Sequence, residues 1–162
     1  MASLDLNRTL QSAERYSLSD DDIREYLNDD VNIVSYLDLP NINRLQDLFK
    51  TSDNLVIHIP VQSQSAGHWT CSFMSEDMKT FNYFCPYAFT PYKNITKSPY
   101  LTHAEDKNDF ALVYLIKQFL REGGKVSVNK YKIQQLKNGV NTCGRHCIAR
   151  LLHKQLNNKQ YY

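Results

Sequence analysis

The run Leu55-Val56-Ile57-His58-Ile59 has the apolar and β-branched content of a buried strand, and Pro60 ends it. Further strands are predicted at residues 70–74 and 79–84, joined by a turn at 75–78, and the alternation of residues 125–135 predicts one more. Helices are predicted at residues 16–28, 42–49, 106–121 and 143–155. Helices, strands, a long helix, a strand and a final helix in that order predict an α+β fold, with a small central mixed sheet flanked by helices.

Two stretches are predicted to lie outside regular structure. Residues 87–102 are rich in Tyr, Pro and Thr and are predicted to form an irregular connection, and the tail from Asn157 to Tyr162 is polar. A chain of 162 residues is the size of one domain. We therefore expect a single domain over residues 1–162, with flexible ends at 1–15 and 156–162.

Composition excludes several classes of protein. The hydrophobic content of 42% is that of a globular chain. A net charge of +2 is too small to indicate, by itself, binding to nucleic acid or to a membrane. The N-terminus lacks the pattern of a secretory signal, and no apolar stretch is long enough for a membrane span. We expect a soluble intracellular protein with no membrane partner and with four reduced cysteines: Cys71, Cys85, Cys143 and Cys147.

The motif with the strongest chemical content is Asn141-Thr142-Cys143-Gly144-Arg145-His146, taken together with Gly67-His68-Trp69. A thiol attacks as its thiolate, and both a partner imidazole and the first turn of a helix lower its pKa from about 8.5. Cys143 is thus a candidate nucleophile and His68 its candidate base. Gly144 would let a substrate backbone approach closely. The alternative is a small buried cysteine at a helix start and an ordinary loop histidine.

A metal site is a second chemical interpretation, because His68, Cys71, Cys143 and His146 or Cys147 could supply four ligands. No Cys-x-x-Cys pair exists, however, and a spacing of three along a strand turns His68 and Cys71 to opposite faces. We therefore predict neither a metal nor another cofactor.

Several motifs together resemble the adenovirus-type and Ulp-type cysteine proteases. Gly67-His68-Trp69 is similar to their His-Trp motif, and Asn141-Thr142-Cys143-Gly144 resembles their Cys-Gly motif, with Gln134-Gln135 ahead of it. Cys85-Pro86-Tyr87-Ala88-Phe89 is similar to their acid-Pro-aromatic-Gly-aromatic segment, with the acid and the glycine replaced. The segment from Leu18-Ser19 to Asp38-Leu39-Pro40 resembles the front end of the small proteases of virophages and related DNA transposons. The resemblance implies an adenain/Ulp-like cysteine protease fold.

The same resemblance implies roles for individual residues. Cys143 would be the nucleophile, His68 the general base and Gln135 the better oxyanion donor, with Gln134 as an alternative, while Trp69 would shape the cleft or serve as a core residue. Cys85 occupies the position of the acid that orients the histidine, and a neutral thiol supports an imidazolium poorly. The site would then work as a dyad, take its orienting group from elsewhere, or have low activity; Asn82 and Asp77 are weaker candidates for that group.

The resemblance also implies the class of substrate. A maturation protease would cut viral capsid precursors, acting in the virion or in the host cytoplasm or nucleus, and we expect this function. The alternatives are a ubiquitin-like-protein protease and a catalytically weak binding module of the same fold. Nucleic acid binding is an accessory possibility on a modest patch of lysines, which a solvated surface explains as well: Lys117, Lys125, Lys130, Lys132 and Lys137.

Overall fold

A five-stranded mixed sheet forms the centre of the computed structural model, which describes Ser12 and residues 16–63, 66–102, 110–135 and 141–162. The strands lie side by side in the order in which they occur in the chain. They are β1 (Asn32–Ser35), β2 (Asn54–Pro60), β3 (Gly67–Met74), β4 (Thr80–Phe84) and β5 (Lys125–Val128). The α+β class and the central mixed sheet are confirmed.

The strand directions bring the start of β3 and the end of β4 together. β3 runs antiparallel to both of its neighbours, β2 and β4, whereas β1 runs parallel to β2 and β5 runs parallel to β4. Because Cys71 lies opposite Phe84 in an antiparallel pair, residues before Cys71 face residues after Phe84. His68 and Cys85 therefore reach the same end of the sheet.

Six helices are described besides two 3₁₀ turns at Tyr36–Asn41 and Leu45–Phe49. They are α1 (Asp20–Tyr26), α2 (Pro91–Thr96), α3 (Pro99–Thr102), α4 (Ala111–Arg121), α5 (Cys143–Leu152) and α6 (Asn158–Tyr161). α1 begins with the expected capping box between Ser19 and Asp22. None of the described helices has both the length and the apolar content that crossing a membrane requires.

The sheet is buried on both faces, which explains why β2 is apolar throughout. Leu55, Ile57 and Ile59 belong to one core, together with the buried stripe of α4. Val56 points the other way into a second core, which contains Trp69, Cys147 and the buried hydrophobic side chains of α1 and α5. Alternating side chains of one strand thus supply two cores.

Four features of the secondary structure differ from the sequence-based expectation. Residues 87–102 are not irregular throughout but contain α2 and α3, and β1 was not predicted at all. The strand expected over 125–135 ends at Val128, and the C-terminal tail forms α6, with a capping box at Asn157 and Tyr161 edge-on to Phe84. Residues 106–109 of the expected long helix, and residues 1–11 and 13–15 of the expected flexible N-terminus, lie outside the described residues.

Candidate active site

The thiol of Cys143 lies against the backbone at His68. Cys143 is the first residue of α5, and its Sγ accepts a hydrogen bond of 3.4 Å from the backbone N–H of Trp69. That N–H belongs to the peptide bond that joins His68 to Trp69. The first turn of α5 and the start of β3 therefore meet at the end of the sheet, 74 positions apart in sequence.

Gly144 allows this close approach of helix to strand. A Cβ at this position would lie 3.2 Å from both Leu18 Cβ and Trp69 Cδ1, which is tighter than ordinary contact. The missing side chain of Gly144 thus faces the protein interior. The structure gives this glycine a packing role, and a contact between Gly144 and substrate stays a prediction.

His68 is held between Cys85 and Tyr87. Its side chain is buried, its Nε2 lies 3.2 Å from Cys85 Sγ, and its ring stacks at a tilt against Tyr87 with 4.7 Å between ring centres. Cys85 is therefore the group at Nε2, as expected for the position that the resemblance gives to an acid. Nδ1 is the ring nitrogen that Cys85 does not engage.

The two weaker candidates for the orienting group are occupied elsewhere. Asp77 is exposed in the turn between β3 and β4, where it accepts hydrogen bonds from Ser75 Oγ and the Lys79 N–H. Asn82 donates its side-chain amide to the carbonyl of Phe73.

Burial keeps the three titratable groups of the site neutral at rest. It lowers the pKa of His68 from 6.5 to about 3, with a smaller contribution from His58, and raises the pKa of Cys85 to about 11. Burial also raises the pKa of Cys143, although hydrogen bonds from the Trp69 and Gly144 N–H groups act in the opposite direction. The expected lowering of the Cys143 pKa is thus outweighed by desolvation, and the free site holds a thiol and a neutral imidazole.

The two candidate oxyanion donors differ sharply in environment. Gln134 is 2% exposed and donates its Nε2–H to the hydroxyl of Tyr87 at 3.1 Å, whereas Gln135 is exposed. Gln134 Oε1 is buried without a hydrogen-bond partner among the described residues. Since Tyr87 also contacts His68, the geometry favours Gln134 over the Gln135 predicted from sequence.

Trp69 is a core residue that also borders a cleft. Its indole is buried, donates to the Leu18 carbonyl at 3.0 Å and lies edge-on to His58, with 4.8 Å between ring centres. It also lines a cleft of about 820 Å³ whose walls include Gly67 and Asn141. Gly67 directly precedes His68, and Asn141 lies two positions before Cys143. The cleft therefore borders the candidate site.

No group of three or more His, Cys, Asp or Glu side chains is placed to hold a metal ion within the part of the chain that the structure describes. Cys71 donates its S–H to the Cys147 carbonyl on the opposite side of β3 from His68. The four described lysines of the predicted basic patch are exposed, and Lys137 lies outside the described residues.

Sequence reasoning missed Asn94, Tyr87 and His58 as parts of the site. Asn94 lies on the unpredicted helix α2, and its Oδ1 faces Cys85 Sγ at 3.7 Å. The N-cap signal Thr90-Pro91, with Pro in the first turn, could have located this helix. Tyr87 could have been found as the aromatic residue two positions after Cys85.

None of the known protein-family models matches the chain. The chain is 31% identical over 149 residues to "Uncharacterized protein V9" of Sputnik virophage, an alignment that covers 92% of this chain and 83% of that protein. The chain therefore belongs to the same family as this virophage protein. The relationship to virophage proteins that residues 18–40 indicated is thereby confirmed.

Proposed function

We propose that this relative of the virophage protein is a cysteine endopeptidase in which Cys143 is the nucleophile and His68 the general base. The observation that carries the proposal is the pair of contacts at one end of the sheet. The peptide N–H following His68 bonds Cys143 Sγ, while the imidazole of the same histidine bonds Cys85. Residues 68, 85 and 143 are far apart in sequence, and the resemblance to adenovirus-type and Ulp-type proteases assigns all three to one active site.

The neutral resting state dictates the first chemical step. His68 Nδ1 takes the proton from Cys143 Sγ as the sulfur forms a bond to the scissile carbonyl carbon. The imidazolium then gives this proton to the leaving amine as the C–N bond breaks, which leaves a thioester. Water, deprotonated by His68, hydrolyses the thioester and returns the thiol.

The negative charge on the attacked carbonyl oxygen needs donors in place before the reaction. The N–H of Cys143, at the start of α5, is one candidate. Gln134 is the other. Its Nε2 now donates to the Tyr87 hydroxyl, and its Oε1 has no partner among the described residues. Rotating the amide by 180° would exchange the two atoms, so that Oε1 accepts from the Tyr87 hydroxyl and Nε2 becomes available to the oxyanion. Tyr87 would then hold Gln134 on one side and His68 on the other.

The cleft beside Trp69 is the candidate substrate site. It lies along the edge strand β1, where Ile33, Val34 and Ser35 form part of its wall. Asp20 and Asp38 also line it, so we expect it to disfavour acidic side chains in the substrate. The resemblance implies small residues immediately before the scissile bond. The virophage relative favours capsid precursors as substrates over ubiquitin-like conjugates.

The proposal is tested with a peptide aldehyde or vinyl sulfone and intact-mass spectrometry. Wild type should form a single covalent adduct, Cys143→Ala should form none, and His68→Ala should react much more slowly. Cys147→Ala is the matched control, because Cys147 lies one turn further along α5 with its Sγ on the Trp69 carbonyl, and it should label like wild type.

Cleavage assays then identify the substrate. The chain is incubated with virophage capsid precursors and, separately, with a ubiquitin-like conjugate. Cutting of a capsid precursor that is lost in Cys143→Ala supports maturation, and cutting of the conjugate alone would assign the second class of substrate. Labelling at a residue other than Cys143, or none in a folded protein, would refute the peptidase.

A further inference from the structure

We propose that Asn94 is a positioning residue that acts through Cys85 to fix the proton of neutral His68 on Nε2, so that Nδ1 is the free base. The hydrogen-bond order is His68 Nε2–H to Cys85 Sγ, and Cys85 S–H to Asn94 Oδ1. The catalytic consequence of this relay rests on the proposed function, whereas the position of the proton does not.

The hydrogen bonds of Asn94 fix the orientation of its side-chain amide. Asn94 is 5% exposed, and its Nδ2 donates to the Tyr83 hydroxyl at 2.9 Å and to the Thr90 carbonyl at 3.3 Å. A carbonyl oxygen cannot donate, so the bond to Thr90 fixes which side of the amide carries nitrogen. The other side, Oδ1, therefore faces Cys85 Sγ at 3.7 Å.

The orientation of Asn94 in turn fixes the direction of the Cys85 S–H. Asn94 Oδ1 can only accept, so the single S–H proton of Cys85 is the donor of that contact. The sulfur then has only acceptor capacity left for His68 Nε2 at 3.2 Å.

The accepting sulfur of Cys85 selects the tautomer of neutral His68. A neutral imidazole carries one proton, and placing it on Nε2 leaves the lone pair of Nδ1 free to take a proton from Cys143. If Cys85 instead donated to Nε2, the proton would move to Nδ1, and the ring could not act as a base there. In Ser-His-Asp proteases the wrong histidine tautomer costs about 10⁴-fold in kcat. A neutral thiol can therefore replace the orienting function of an acid, provided that Asn94 takes the thiol proton.

The test measures the imidazole ¹⁵N chemical shifts of His68 in the full chain at neutral pH. Wild type should show a protonated Nε2 and an unprotonated Nδ1. Asn94→Leu removes the acceptor, so the Cys85 proton should turn to Nε2 and the His68 proton should appear on Nδ1. Asn94→Asp keeps an acceptor oxygen and Cys85→Ser keeps a donor, so both should retain the wild-type tautomer.

Asn82→Leu is the matched control, because Asn82, like Asn94, donates its side-chain amide to a backbone carbonyl but has no hydrogen bond to Cys85 among the described residues; its His68 shifts should equal those of wild type. In peptide cleavage, Asn94→Leu should lower kcat at least about tenfold at little change in KM, and adding Asn94→Leu to Cys85→Ala should cost nothing more.

A wild-type His68 protonated on Nδ1, or unchanged His68 shifts in folded Asn94→Leu, would overturn the relay. If Asn94→Leu does not fold, loss of the Nε2–H signal in Cys85→Ser would overturn it as well. The proposed function fails separately: a tautomer that follows Asn94 in a protein that neither labels nor cleaves would keep the relay and refute the peptidase.

Discussion

Replacing Ala88 with glycine should stabilise the turn that carries Cys85 and Tyr87. Ala88 has φ of +59°, in the left-handed region, and its N–H donates to the Cys85 carbonyl at 2.8 Å. An L-residue in this conformation costs about 1–2 kcal/mol, a cost that glycine does not have. The proteases that the chain resembles have glycine at this position of the motif, so alanine here is a departure with an energetic consequence.

The net gain is smaller than the conformational cost, because glycine also makes the unfolded chain more flexible. This second effect is worth about 0.4–1 kcal/mol. The balance for Ala88→Gly is thus a stabilisation of about 0.5–1 kcal/mol, which corresponds to a rise in Tm of about 1–4 °C for a chain of this length.

Gly123→Ala is the reverse experiment at a matched site. Gly123 has φ of +92°, and a Cβ added there would meet no atom within 4 Å, so backbone strain acts without a clash. We expect a loss of similar size. Both variants are measured by urea and thermal unfolding. A lower Tm for Ala88→Gly, together with the expected loss for Gly123→Ala, would refute the left-handed turn at Ala88.

Three further predictions concern charge and packing. Burial lowers the pKa of His68 to about 3 from 6.5, so the unfolded chain binds a proton at a higher pH than the folded chain. The free energy of unfolding should fall as pH drops through this window, by at most about 1.4 kcal/mol per pH unit, and urea titrations of His68→Gln should show a shallower fall; equal slopes would contradict the shift. Because burial raises the pKa of Cys143 above the ordinary value of a thiol, its alkylation by iodoacetamide should keep accelerating with pH beyond neutrality, and a plateau below neutral pH would indicate a resting ion pair instead. Gly67→Ala would push a Cβ into the Ile59 carbonyl and should lower Tm more than Gly144→Ala, whose Cβ meets Leu18 and Trp69 at 3.2 Å; the opposite order in thermal melts would show that α5 is the less tolerant contact.

The strands and helices that the sequence predicts correctly are those with a strong local pattern. β2 has a β-branched run, α4 has an apolar stripe at helical spacing, and α1 has a capping box, so in each case local preference and burial agree. α2 is short, and its Tyr and Pro residues resemble those of a loop. Its stability depends on contacts made by Ile95 and Asn94 in the core, which local preference does not contain.

The choice between Gln134 and Gln135 could not be made from alternation, because the strand on which it relied is too short. β5 pairs with β4 only as far as Val128, opposite Tyr83. Asn129 then donates its side-chain amide to the Cys85 and Tyr131 carbonyls and turns the chain. Gln134 is directed inward by this turn, since its backbone N–H bonds to the Pro86 carbonyl. The inside-outside rule of a strand does not extend through such a segment.

The positions of His68, Cys85 and Cys143 were predictable as members of motifs, but their protonation was not. A sequence indicates that a histidine and a helix N-terminus are available to a thiol, and both lower its pKa. The opposing desolvation depends on how deeply the fold buries the group, and His68 and Cys143 are only 7% and 6% exposed. Whether a thiolate exists at rest is thus a property of packing rather than of the motif.

The same burial explains why a thiol is compatible with the position of an acid. A carboxylate at Cys85, which is 0% exposed, would carry a charge that is costly to bury unless His68 were permanently protonated beside it. A thiol that donates to Asn94 and accepts from His68 has all of its hydrogen bonds satisfied without any charge. In the proposed mechanism, charge would develop at the site only while Cys143 attacks, when the oxyanion and the imidazolium form together. Cys85 would orient His68 but would offer this imidazolium no counter-charge. The stabilisation of the transition state must therefore come from the donors at the oxyanion, which makes the Tyr87–Gln134 pair the most demanding part of the proposed mechanism.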